Sequence, residues 1–214
     1  MGKLTTGRLQ AFSDGVFAIL ITILVLDFKI PTYTAGHLLP AVLKQWPILA
    51  AYLVSYFYVG TLWLFHHDYF KTIALINRDL NVLNLILLFS VTLLAYPTSL
   101  VATTLQSGNL TDIRTALVMY DLVGAFISLT FVWLYNYMCK HPELKAKNVT
   151  DQFYQQIKHD PYRSVSIYVV ALVVTFFSVV VGGILLLAGI WFHYRAYRHM
   201  NQLLESEKKK TVLD

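Results

Sequence analysis

The chain has 214 residues, of which 57% are hydrophobic and only 14% charged, with a formal net charge of +5. Soluble domains carry roughly 25% charged residues, so a water-soluble enzyme and a basic nucleic-acid-binding domain are both excluded as the overall class. The single cysteine, Cys139, excludes an intrachain disulfide and a cysteine metal cluster.

The apolar residues come in five blocks: Gly15–Ile30, Trp46–Phe65, Leu80–Leu105, Thr115–Met138 and Val165–Phe192. A bilayer core of about 30 Å takes about 20 helical residues. The first predicted helix, over 8–30, opens on the heptapeptide Arg-Leu-Gln-Ala-Phe-Ser-Asp of residues 8–14 and runs into Gly15–Leu26. Ionisable groups are expensive in lipid, so Arg8, Ser13 and Asp14 need protein partners or water. Ahead of them, Met1 to Thr6 matches a myristoylation pattern, which a multi-span protein does not need as an anchor.

Helix 1 has a patterned surface. Measured from Phe12 at about 100° per residue, Val16, Ile19, Ile23, Leu26 and Ile30 stay within roughly 40° of one line. Thr22 lies about 80° from that line and Asp14 about 160° from it. Such a stripe suits ordinary packing, lipid contact or the wall of a narrow pore, and periodicity does not choose among them.

Pro31, Pro40 and Pro47 break the connection to helix 2, predicted over 46–76 with Pro47 in its first turn. His66-His67-Asp68 raises the question of a metal. Adjacent histidines point about 100° apart on a helix and no His-Glu-x-x-His spacing is present, so these are read as polar helix-end residues. Helix 3, over 79–105, should kink at Pro97, with Thr98 and Ser99 taking up the freed backbone groups. Asn109-Leu110-Thr111 fits a glycosylation sequon. Helix 4, over 113–138, carries Asp121, expected to meet Arg114 or water, and Cys139 at its end reads as a free structural thiol.

The polar connection Cys139–Arg163 shows no soluble domain. The last apolar block is too long for one comfortable span, and a tight reversal at Gly182-Gly183 would divide it into helices over 164–181 and 183–198, followed by a polar basic tail, 199–214. A single tilted helix is the rival reading. With six spans, every Lys and Arg except Lys29, Lys44 and Arg114 falls on one side of the membrane, as the positive-inside rule requires of the cytoplasmic face. The expectation is an all-α integral membrane protein with six transmembrane helices per subunit, forming one membrane domain in the cell membrane with both termini cytoplasmic. No internal repeat is found, so an axial pore must be built from several copies.

Arg8-x-x-x-Phe12-Ser13-Asp14, leading into Gly15-Val16-Phe17-Ala18-Ile19, resembles the signature of the transmembrane protein 175 family of potassium channels. Trp63, His66-His67 and the Asn77, Asn81 and Asn84 series are compatible with that family's second and third helices. With one six-helix repeat, the chain is similar to the prokaryotic members, which assemble as homotetramers. The resemblance implies that helix 1 lines a central pore, with the narrowest ring at Ile19, further apolar rings at Ile23 and Leu26, and a threonine layer at Thr22. It implies a permeant potassium ion, no cofactor, and a lipid bilayer and other copies of the chain as the only partners.

A potassium filter of the Thr-Val-Gly-Tyr-Gly kind is missing from the sequence; Tyr58-Val59-Gly60 lies in an apolar helix. Arg8 and Asp14 are six residues apart, too far to pair on one helix, and the expected partners of the signature are Trp63, His66, His67 and Asn81. The alternatives are a proton-coupled secondary transporter using Asp14 or Asp121, and a membrane enzyme using His66 and His67. The unbroken helix 1 weighs against the first, and the lack of a nucleophile, base and metal set against the second.

Overall fold

The apolar blocks of the sequence turn into helix in the computed structural model, which describes residues 6–147 and 149–213. Among the described residues the elements are α1 (Thr6–Ile23), α2 (Leu38–Leu43), α3 (Trp46–Phe70), α4 (Arg78–Thr92), α5 (Ala95–Ser107), α6 (Leu110–Lys140), α7 (Asp151–Ile157), α8 (Asp160–Phe177) and α9 (Val179–Leu213). Short 3-10 turns follow α1 and α6. Lys3, the first residues of the lipidation pattern, and the side chains of Lys208 and Lys210 lie outside the described residues. Six segments span the membrane: Thr6–Leu26, Trp46–Phe70, Arg78–Ser107, Leu110–Lys140, Asp151–Phe177 and Val179–Glu207.

Each helix boundary has a local cause. The first helix stops short of residue 30: after Asp27 the chain is extended at Phe28, and Ile30 precedes Pro31, a position biased away from the helical region. Pro47 sits in the first turn of α3, as expected. That helix ends at Phe70 and does not continue to residue 76, because the following residues leave to pair with the connection after α6. The Ala74 amide donates to the Leu144 carbonyl at 2.8 Å, and the Ala146 amide to the Thr72 carbonyl at 2.8 Å.

Pro97 splits the third span into α4 and α5. It offers no N–H to the Leu93 carbonyl, which instead accepts from the Tyr96 amide at 3.2 Å. The Thr98 and Ser99 hydroxyls donate to the carbonyls of Leu94 and Ala95, the next two along the helix. Gly108 ends α5 in the left-handed conformation (φ 71°). The Asn109 side chain then caps α6 by accepting from the amides of Thr111 and Asp112.

The reversal between the last two spans falls at Ser178, not at Gly182-Gly183. Ser178 is extended (φ −146°, ψ 109°), and its hydroxyl accepts from the Val181 amide at 3.3 Å, so one residue stops α8 and caps α9. Gly182 serves packing: a Cβ there would lie 2.7 Å from the Thr175 Cα across the hairpin. The tail from residue 199 is not a separate polar end either. It continues α9, burying Met200 and donating from the Asn201 side-chain Nδ2 to Asp68 Oδ2 at 3.2 Å.

α6 is the central helix, packed against α4, α5, α8 and α9, whereas α1 packs chiefly on α3 and α4. The polar connection after α6 holds α7, whose Phe153, Tyr154 and Ile157 are buried. The Thr6 hydroxyl donates to the Ala74 carbonyl, and the Thr150 amide to Glu207. The start of α1, the α3–α4 and α6–α7 connections and the far part of α9 therefore meet at one end of the bundle, as six alternating spans require.

Candidate functional site

α1 is held by one face. Ser13, Phe17 and Leu20, with Leu24 in the 3-10 turn beyond, are buried, while Phe12, Ile19, Ile23 and Leu26 are exposed, Ile19 to 60% and Leu26 to 70%. In a 3-10 turn side chains three apart eclipse, so Leu26 lines up with Ile23 beyond the end of α1. Ile30 lies past the helix and leaves the stripe. Thr22 is exposed between these apolar residues. Its hydroxyl folds back on the helix, donating to the Ile19 carbonyl at 2.8 Å, with the Ala18 carbonyl at 3.1 Å. The oxygen's lone pairs are left on the exposed surface.

The heptapeptide splits three ways. Asp14 turns to α3, where the Trp63 indole N–H donates to its Oδ1 at 2.8 Å. His67 Nδ1 stands 3.4 Å from the same oxygen, an ion pair when His67 is protonated. Gln10 Nε2 contacts His67 Nδ1 at 3.0 Å and donates to the His67 carbonyl at 3.1 Å. Ser13 turns to α4: its hydroxyl donates to the Leu9 carbonyl and accepts from Asn84 Nδ2 at 3.0 Å.

Because the Asn84 amide nitrogen is committed to Ser13, its oxygen must accept, which makes His66 Nε2 the donor in their 2.8 Å bond. The His66 ring lies against Phe70 and Phe17, with centroids 4.2 and 5.4 Å away. Ser13, Asn84 and His66 are all fully buried. Phe12 and Arg8 point outward, and no hydrogen bond or ion pair reaches Arg8 among the described residues.

The structure thus brings Trp63 and His67 to Asp14, but routes His66 to Ser13 through Asn84. Asn81 does not join either network; its Oδ1 is buried without a partner. Asn84 and Gln10 take the places that spacing alone did not assign. Gln10 was visible as the remaining polar side chain of the heptapeptide, and Asn84 as the asparagine one turn beyond Asn81.

Asp121 belongs to another region. It is buried between α6 and α8, with Oδ2 3.3 Å from the Thr175 hydroxyl, and makes no hydrogen bond or ion pair with Arg114. Cys139 is a free, exposed thiol. Among the described residues no three His, Cys, Asp or Glu side chains converge as a metal site.

The family described as endosomal/lysosomal potassium channel TMEM175 matches residues 8–95, which include both hydrogen-bond networks of α1. A potassium channel of Chamaesiphon minutus is 32% identical over 200 residues, covering 89% of this chain and 95% of that protein. A potassium channel of Streptomyces collinus is 41% identical over 127 residues, 59% of this chain and 61% of that one. The crystal structure of a lysosomal potassium-selective channel TMEM175 homologue from Chamaesiphon minutus superposes with a TM-score of 0.73 at 30% identity. That match covers 89% of this chain and 97% of the other.

Proposed function

This chain belongs to the TMEM175 family of ion channels, and on that premise we propose that it is a leak-type, potassium-selective channel assembled as a homotetramer around α1. The observation that carries the reading is the exposed stripe of Phe12, Ile19, Ile23 and Leu26 on a helix pinned by Asp14 and Ser13 on its other faces. Four such stripes facing a common axis form stacked apolar rings, with Ile19 as the constriction and Ile23 and Leu26 beyond it.

A ring of isoleucines has no oxygen to replace water lost by an ion. Selection then depends on how easily each cation sheds part of its shell. Potassium is larger and more weakly hydrated than sodium, so partial dehydration penalises sodium more. The Thr22 oxygens, with their own protons donated to the helix, offer acceptors beside the constriction and add to that preference. No arginine-rich helix is present to sense voltage. The bias of Lys and Arg orients the chain in the cell membrane with both termini cytoplasmic.

The test is reconstitution with potassium and sodium gradients, using an uncoupler to separate channel flux from proton-driven transport. Ile19→Asn should lower the preference for potassium or raise conductance. Unchanged reversal potentials and currents would remove Ile19 from the constriction.

A further inference from the structure

The two flanks of α1 differ in shape. Gln10, Asp14 and Ile21 face α3, whereas Ser13 reaches α4 through Asn84. On the α3 flank lies an open apolar groove of about 760 Å³ between α1, α3 and α9, lined by Ile21, Leu53, Phe57, Gly60, Trp63 and Trp191 among others. On the α4 flank stands a ridge: Val82, Leu85 and Phe89, continued by Tyr96 on α5, are exposed along one face.

Two observations favour protein over an acyl chain in that groove. Gly60 lies inside α3, where glycine weakens a helix relative to alanine. A Cβ there would meet nothing within 4 Å of its own chain, so packing inside the subunit gives no reason for it. A small residue on a membrane helix lets a second helix come close. Beside the groove, the side chains of Asp14 and His67 remain 34% and 31% exposed. A carboxylate facing lipid is costly, and a neighbouring protein surface removes that contact.

We propose that the groove on the α3 flank receives the α4 ridge of a neighbouring copy of this chain, with the partner's Phe89 seated over Gly60. The inference rests on the homotetramer reading and says which surfaces build it. A closed ring with more than two members needs a heterologous interface, one patch meeting a different patch on the next copy. A groove on one flank and a ridge on the other satisfy that need.

Depth selects the residues, because rotation about an axis normal to the membrane leaves depth unchanged. The bonds Trp63–Asp14 and Ser13–Asn84 place Trp63 and Asn84 at one level. Moving three residues toward the outer end, about 4.5 Å, reaches Gly60 on α3 and Leu87 on α4. The ridge residues flanking that level are Leu85 and Phe89, and Phe89 has the bulk to fill the space over a glycine.

The experiment uses the protein in membranes with Cys139→Ser as background, carrying Gly60→Cys and Phe89→Cys together, treated with a bifunctional thiol cross-linker of about the span of a phenyl ring. A direct disulfide needs Cβ atoms about 3.5–4.5 Å apart, closer than a ring seated between the helices allows. The expected result is a ladder of covalent species ending at the tetramer. A control pairing Gly60→Cys with Val82→Cys, about 10 Å from Phe89 along the ridge, should stay uncross-linked. Native mass spectrometry of the same preparations reads the assembly independently. A tetramer without the ladder overturns the groove assignment and leaves the assembly standing, while a monomer overturns the tetramer reading itself. A tetramer without the ladder that loses bound phospholipid on Gly60→Leu gives the groove to an acyl chain.

Discussion

Trp63 and Asp14 meet at 2.8 Å, the indole N–H of α3 donating to a carboxylate oxygen of α1. Hydrogen bonds to a charged group are worth about 1.5–3 kcal/mol net. Trp63→Phe should therefore cost up to about that much in unfolding free energy, since the Asp14 side chain is 34% exposed and water replaces part of the bond. Asp14→Ala, which removes the acceptor, should cost less in the Trp63→Phe background than alone. Chemical denaturation in detergent, arranged as a double-mutant cycle, reads the coupling; a value near zero removes the bond as a support for α1.

The Ser13–Asn84–His66 chain is fully buried. Replacing Asn84 with Leu leaves the buried His66 Nε2–H without an acceptor, at about 1–3 kcal/mol, while the Ser13 hydroxyl keeps its bond to the Leu9 carbonyl and loses only the one it accepts. Asn81→Leu removes a side chain whose oxygen has no partner, and should be far milder. Melting temperatures of the two variants, compared in the same detergent, decide between them.

Thr22→Val keeps the shape of the side chain and removes the oxygen. The assembled channel should form normally, with a potassium-to-sodium permeability ratio reduced by up to about tenfold, equivalent to about 1.4 kcal/mol. Bi-ionic reversal potentials measure this directly. A ratio equal to that of the parent protein would leave selection to the apolar rings alone.

Gly182 and Gly183 separate two explanations of the same dipeptide. A Cβ on Gly182 would strike the Thr175 backbone, whereas one on Gly183 would sit 3.7 Å from Leu117 in ordinary contact. Gly182→Ala should destabilise by about 1–3 kcal/mol through overpacking. Gly183→Ala should be neutral or stabilising by up to about 1 kcal/mol, since alanine is the better helix former. Thermal unfolding of both variants tests the assignment; equal losses would mark a turn.

The residues that reveal the fold and those that reveal the site differ in kind. Six spans follow from apolar length and charge sidedness, and Pro97 announces its own break because a missing N–H acts locally. Ser178 gives no such signal: its turn depends on one hydroxyl capping the next helix, and the adjacent glycines draw attention away from it. Phe153, Tyr154 and Ile157 sit in a polar stretch whose buried face appears only in tertiary packing, with Tyr154 bonded to Thr72 and Tyr135 and α7 lying against α9. At the site, the outward stripe and Asp14's inward side were legible from helical angles. The exchange of Asn81 for Asn84 was not, because one turn of α4 separates them and only tertiary packing selects the level.

Thr6 hangs from Ala74, Ala74 from Leu144, and the same connection from Glu207 through Thr150. First and last helices are thereby latched to each other through loops rather than through the membrane. A deletion beyond Asn201 is consequently not a neutral trim, since it takes away the Glu207 carboxylate that fastens this end of the bundle near the mouth of α1.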